Sequence, residues 1–304
     1  VLKFAPDLNR NGKRNVFIAN PLKTPTMQFN YLSTLTAGMF AAVIFAGCDR
    51  REESLSEDAA TAESLTEVTD RAIEEVAEAA MPLPGGGGGP CAGTSAPFGT
   101  CATLTDSGEG VYPRTVVVDF GSGCTGPNGV TRSGIISLVI TGDILATEGA
   151  TWTATFEDFA VGNRVVNGTK TRTFTGANAE GQPTYSFTTD LSIVRNGASF
   201  AREASGTAVW LAGYDTEECF DNVVQRDGTA TVTGPQGGTR TRTFTAVVHD
   251  QLCGYPVSGT VLIERPGPDV HLDYGDGTCD NLATVERGGN VFVLNLDTHE
   301  LTPQ

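Results

Sequence analysis

Tyr185-Ser-Phe-Thr-Thr-Asp-Leu-Ser-Ile-Val194 decides the fold. Its odd positions carry Tyr185, Phe187, Leu191 and Ile193, and its even positions carry Ser186, Thr188, Asp190 and Ser192. Successive side chains of a strand point to opposite faces, so this alternation describes a half-buried β-strand. The same period of two runs through 135–140, 152–159, 169–175, 239–248 and 257–263. Asn167-Gly168, Asn196-Gly197, Asp227-Gly228 and Pro235-Gln-Gly-Gly238 punctuate these runs and are expected to be turns. From residue 91 onward there is no sustained helical period. The expectation is an all-β domain of about a dozen strands, an antiparallel meander forming a sandwich or a partly open barrel.

Composition agrees. The 304 residues include 37 Gly, and acidic residues outnumber basic ones 36 to 20. A net charge of −16 excludes a basic nucleic-acid footprint as the default.

The domain carries an internal echo. Val116-Val-Val-Asp-Phe-Gly-Ser-Gly-Cys124 matches Val270-His-Leu-Asp-Tyr-Gly-Asp-Gly-Thr-Cys279, with one Thr inserted before the second Cys. Past the Cys, Val130, Arg132, Gly134, Ile136 and Leu138 align with Val285, Arg287, Gly289, Val291 and Val293. Both copies have an upstream Cys, so the repeat pairs Cys101 with Cys124 and Cys253 with Cys279, leaving Cys91 for Cys219. No Cys-x-x-Cys spacing points to zinc. A second echo joins Thr169-Lys-Thr-Arg-Thr-Phe-Thr-Gly176 to Thr239-Arg-Thr-Arg-Thr-Phe-Thr-Ala246.

Ahead of this domain the chain changes character twice. Residues 35–47 are an apolar run of 13, too short to span a bilayer and right for the core of a signal peptide. Ala46-Gly47-Cys48 resembles a bacterial lipobox, with Phe45 where Leu is usual, which implies a signal peptide over 1–47 and lipidation at Cys48. Residues 1–26 precede Met27 without any hydrophobic period and read as an over-called start, against which a start at Met27 leaves no Lys or Arg ahead of the apolar run, whereas the longer form supplies Lys23. Residues 1–47 hold five basic residues and one acidic, so the chain from Cys48 onward carries −20. Residues 48–90 form an acidic, Gly/Pro-rich tether. Eleven acidic and three basic residues fall within 49–80, a thin apolar stripe from Leu55 to Ala80 suggests a marginal helix, and Gly85–Gly89 ends it.

Chemical candidates are few. Asp273, Asp276 and Asp280 fall within eight residues and could wrap oxygen ligands around Ca²⁺, or cap the turns of a tight hairpin. His249, His271 and His299 are scattered. Glu157-Asp158 and Glu217-Glu218 are neighbours, and on a strand neighbouring side chains point apart, so neither pair makes an acid/base dyad. Trp152, Phe156, Phe174, Tyr185, Phe187 and Trp210 read as core, or as the lining of a ligand groove. No catalytic residue emerges.

The lipobox-like end, the acidic tether and the Asp-aromatic-Gly-x-Gly Cys motifs together resemble surface lipoproteins of Bacteroidetes-type bacteria, of uncharacterised role. Asp49-Arg50-Arg51-Glu52-Glu53 resembles the export signal of such proteins, whereas Asp directly after the Cys resembles an enterobacterial inner-membrane retention signal. The resemblance implies a cell-envelope protein held to the outer membrane through its lipid, surface-exposed, with no activity assigned. The expected function is a structural or binding module for an envelope or extracellular ligand. The alternatives are a carrier of an amphipathic ligand in an open β-barrel and, less favoured, a hydrolase.

Overall fold

The computed structural model describes residues 101–108, 111–126, 129–216 and 221–304. They form fifteen strands and, among the described residues, no helix. The first seven are β1 (Thr103–Asp106), β2 (Arg114–Asp119), β3 (Cys124–Thr125), β4 (Thr131–Ile140), β5 (Thr151–Val161), β6 (Arg164–Ala177) and β7 (Pro183–Arg195). The remainder are β8 (Ala198–Ala212), β9 (Val223–Thr233), β10 (Thr239–Asp250), β11 (Pro256–Glu264), β12 (Val270–Asp276), β13 (Leu282–Arg287), β14 (Asn290–Asn295) and β15 (Leu301–Pro303).

The all-β antiparallel meander is what the chain builds. Strand order follows chain order, with only the two-residue β3 set aside against β4. It is one continuous sheet rather than two packed ones, and it is not closed into a barrel. Fifteen strands exceed the dozen read from alternation because β1, β3 and β15 are two to four residues long, too short to show a period.

The buried face divides into three apolar clusters. The first includes Val118, Leu138, Trp152, Phe156 and Phe159. The second holds Val261, Leu272, Tyr274, Val285 and Leu294. The third, on the central strands, holds Phe174, Tyr185, Phe187 and Trp210.

Two of the expected turns lie inside strands. Asn167-Gly168 is within β6 and Asp227-Gly228 within β9. Each braces a bulge on a neighbouring strand. The Asp158 N–H donates to Asn167 Oδ1, and the Ala246 N–H donates to Asp227 Oδ1, both at 2.8 Å. Asp158 and Ala246 adopt φ of 48° and 50°, the left-handed conformation of an inserted residue. Gly168 and Gly228 are required by close strand approach, because a Cβ there would lie 2.2 Å and 2.3 Å from the carbonyl oxygens of Asp190 and Ser205. The first bulge also corrects the reading of Glu157-Asp158. It breaks the alternation, so Phe156 and Phe159 are both buried and the two acids between them are both exposed.

The sequence duplication has a structural counterpart that stops at the cysteines. Val116, Val118 and Phe120 are buried in one copy, and Val270, Leu272 and Tyr274 in the other. Asp119 Oδ1 accepts from the Gly121 N–H at 2.7 Å, and Asp273 Oδ1 from the Gly275 N–H at 2.9 Å. Disulfides join Cys101 to Cys124 and Cys253 to Cys279, with Cα–Cα distances of 5.4 Å and 5.6 Å. Past them the aligned residues diverge. Gly134 lies inside β4, whereas Gly289 belongs to the turn from β13 to β14.

Candidate functional site

Alternation places Lys170, Arg172 and Phe174 on one face of β6, and Arg240, Arg242 and Phe244 on one face of β10. That face is the buried one. Lys170, Arg172 and Arg242 are 5%, 5% and 4% exposed, and Arg202 of β8 is 6% exposed. Cross-strand register links them in a row of Lys170, Thr189, Ala204, Ala230 and Arg242 across β6 to β10. The central members are small. With Gly206, Ala208 and Gly228 beside Ala204 and Ala230, β8 and β9 leave a depression between the long side chains of β6, β7 and β10.

This depression is an open cleft with about 30 Å³ of space accessible to water-sized groups. Lys170, Arg172, Arg202, Arg226 and Arg242 line it with Phe187, Phe244, Val247, Thr189 and His249. The Arg172 guanidinium lies over the Trp152 ring, 5.4 Å from its centroid, a cation–π contact that fixes the head group. Phe187 and Phe244 stack with centroids 6.2 Å apart and planes inclined by 18°. Burial pushes Arg242 down to about 10, with Tyr274 pulling in the opposite sense, so it remains charged at neutral pH. Among the described residues the lining offers positive charge and aromatic surface and no carboxylate. Guanidinium forks and an ammonium in such a cleft are suited to hold carboxylate, sulfate or phosphate oxygens.

The residues singled out from the sequence are distributed elsewhere. Asp273, Asp276 and Asp280 are all exposed. Each serves its own turn: Asp273 as above, Asp276 Oδ1 accepting from the Thr278 N–H and Oγ1–H, and Asp280 Oδ1 accepting from the Leu282 N–H at 2.9 Å. The Thr278 bonds hold the Asp276 carboxyl below the usual carboxylate range. Among the described residues no group of three or more His, Cys, Asp and Glu is arranged to hold a metal. Trp152 and Phe156 pack in the first core cluster, and Phe174, Tyr185 and Trp210 in the third, while Phe187 lies both in the core and on the cleft wall. His249 lines the cleft and His271 is exposed. His299 sits in the turn before β15, within electrostatic reach of the cross-strand pair Arg164 and Arg195. Cys48, Cys91, Cys219 and Glu217-Glu218 lie outside the described residues, as do the boundaries of the signal peptide and tether.

The cationic residues of the cleft were missed, though their signal was present. In both Thr-rich echoes the basic residues share parity with the Phe, so the face that buries the ring also carries the charges inward.

Fold and cleft together define a class: an open antiparallel β-sheet protein with a buried cationic cleft on its core face. No protein-family model, curated protein or solved structure matches the chain.

Proposed function

We propose that this is a lipid-anchored envelope protein whose β domain binds an anionic amphiphile. One observation carries the ligand class: five cationic side chains and the Phe187–Phe244 stack line a single cleft in a chain of net charge −16. The cations suit the ligand's head group and the rings suit its apolar part. This reading merges the binding module with the carrier, and it favours holding over turnover, since the lining supplies anion-holding groups. Anchoring rests on the lipobox-like Ala46-Gly47-Cys48, and outward display on Asp49-Arg50-Arg51-Glu52-Glu53.

Calorimetric titration of the full chain with dodecyl phosphate, dodecanol and inorganic phosphate tests the reading. Dodecyl phosphate should bind most tightly, inorganic phosphate weakly, and dodecanol least. Arg202→Gln should weaken dodecyl phosphate by about tenfold, and added salt should weaken it further. Equal binding of dodecyl phosphate and dodecanol would overturn the ligand class.

A further inference from the structure

We infer that Arg164, Arg195 and His299 form a second anion site, apart from the cleft, which holds a sulfate or phosphate group between the two guanidinium heads. The inference does not rest on the reading of the cleft.

Three turns build the site. Gly162-Asn163 and Asn196-Gly197 are two-residue turns, closed by the pairs Val161–Arg164 and Arg195–Ala198. Asn196 and Gly197 adopt φ of 52° and 78°, as a tight hairpin turn requires. The Asn163 Nδ2–H donates to Asn196 Oδ1 at 3.4 Å and joins these two turns side by side. The third turn carries His299, whose N–H donates to the Asn295 carbonyl oxygen at 2.8 Å. Asn295 Oδ1 accepts from the Asp297 and Thr298 N–H groups, so the turn that presents the imidazole is braced from within.

Register brings like charges together. Arg164 and Arg195 are directly opposite on β6 and β7, a position that sets Cβ atoms about 5 Å apart. Both are half-buried, and alternation places them on the face that buries Val166 and Leu191. Their neighbours in register on that face are Val161 and Ala198, and the row inward holds Val166 and Ile193, so no acid flanks the pair. Neither arginine pairs with a carboxylate among the described residues. Like charges directly opposite on a sheet repel. Burial and then Arg195 lower the pKa of Arg164, and both arginines add to the burial that lowers His299. Asp297 is the acid that faces His299, but it is exposed, and its Oδ2 accepts from Asn281 Nδ2 at 2.9 Å.

The same groups offer unused hydrogen-bonding capacity. Arg195 Nε and His299 Nδ1 are buried, and neither has a hydrogen-bond partner among the described residues. Buried polar atoms are ordinarily paired. A tetrahedral oxyanion answers both features. Its charge offsets the repulsion between the arginines, and its several oxygens accept from guanidinium and imidazolium N–H groups at once. By linkage, the anion favours protonated His299, so affinity rises as pH falls through the histidine range.

NMR titration of the imidazoles in the full chain tests this, with His299 assigned through His299→Asn and the exposed His271 as reference. Sodium sulfate is compared with sodium chloride at equal ionic strength, which separates binding from screening. Sulfate should raise the His299 midpoint above its value in chloride and leave His271 unmoved. Arg164→Gln should weaken sulfate at least about tenfold, and Arg164→Gln with Arg195→Gln should abolish the difference between the salts. Butyl sulfate distinguishes two sources of the anion. Tighter binding than sulfate assigns the group to an ester whose chain lies on Val166 and Ile193, and weaker binding assigns it to the free ion; both support the site. Equal His299 midpoints in sulfate and chloride overturn the proposal, and so does a sulfate response that survives the double substitution.

Discussion

Phe187 of β7 and Phe244 of β10 stack on each other across two intervening strands, because each ring lies over a glycine. Phe187 pairs in register with Gly206, Gly206 with Gly228, and Gly228 with Phe244. A Cβ built at Gly206 would lie 2.9 Å from Phe187 Cζ, and one at Gly228 2.9 Å from Phe244 Cζ. The two glycines let the rings lean inward and meet, and this stack separates the cleft from a plain β surface. A double-mutant cycle on Phe187→Leu and Phe244→Leu, read by urea unfolding, should return a coupling of about 0.5–1.5 kcal/mol. Additive losses would mean that the rings act independently.

Gly206→Ala is expected to cost more than either ring. Its Cβ would stand 2.1 Å from the Asp227 carbonyl oxygen, which is backbone and cannot swing away. The strands must separate, and a loss of about 3 kcal/mol is expected. An unchanged unfolding midpoint would show that β8 and β9 do not approach as described.

His299 gives the fold a pH response. It has φ of 61°, and its Nδ1 is buried with no hydrogen-bond partner among the described residues. Burial lowers its pKa first, and repulsion from Arg164 and Arg195 adds to this, with Asp297 opposing. As pH falls from the ordinary histidine value of 6.5, the unfolded chain takes up the proton before the folded one. The stability held above that pH is therefore partly lost on the acid side. His299→Asn suits the left-handed conformation and removes the titration. Urea unfolding at neutral and mildly acidic pH should show a shallower decline for the variant, and parallel declines would assign the pH response elsewhere.

Much of the fold was legible because period-two alternation is a local property. Tyr185 to Ile193 displays its buried face without knowledge of its neighbours, and β7 lies where alternation places it. The bulges were not legible, because the left-handed residue at Asp158 or Ala246 is imposed by the partner strand. For the same reason Asn167-Gly168 looked like a turn. Its side chain braces β5, and the β5–β6 connection falls instead at Gly162-Asn163, between the paired Val161 and Arg164. The cleft was half legible. The parity of Lys170 and Arg172 with Phe174 is in the sequence, but β6, β8 and β10 converge only through the sheet order.

The acidic turn should prove indifferent to calcium. Asp273, Asp276 and Asp280 each direct one carboxylate oxygen to a backbone N–H two residues on. Drawing them together around one ion would break those turn contacts. Thermal unfolding with added Ca²⁺ and with chelator should give the same midpoint. A rise with Ca²⁺ that Asp276→Asn removes would restore the site, by mass action on the folded state.

The disulfides should contribute separately, one at each end of the sheet. Cys101–Cys124 closes a sequence separation of 23 residues beside β3, and Cys253–Cys279 one of 26 residues beside β12. Constraint of the unfolded chain by loops of this length contributes about 3 kcal/mol each. Cys101→Ser with Cys124→Ser, and Cys253→Ser with Cys279→Ser, should each lower the urea midpoint, and together the losses should add. Peptide mapping under non-reducing conditions should recover both pairs and a third, Cys91 with Cys219. Finding Cys91 bonded to one of the other four would refute the pairing implied by the duplication.

The last prediction concerns the anchor and the exposure of the tether. Lipidation of Cys48 with two or more acyl chains would hold the chain stably at a membrane, since a single chain gives only marginal binding. Mass spectrometry of the mature protein should show a modified Cys48 as its first residue, and Cys48→Ala should leave the chain unprocessed or released. Outward display adds a second readout. Protease added to intact cells should cut in the 49–90 stretch and shed the β domain, because exposed polar connections are the preferred sites of nicking. If the domain is shed only after the outer membrane is opened, the protein faces inward and Asp49-Arg50-Arg51-Glu52-Glu53 is no export signal. An unmodified mature Cys48 would remove the anchor altogether.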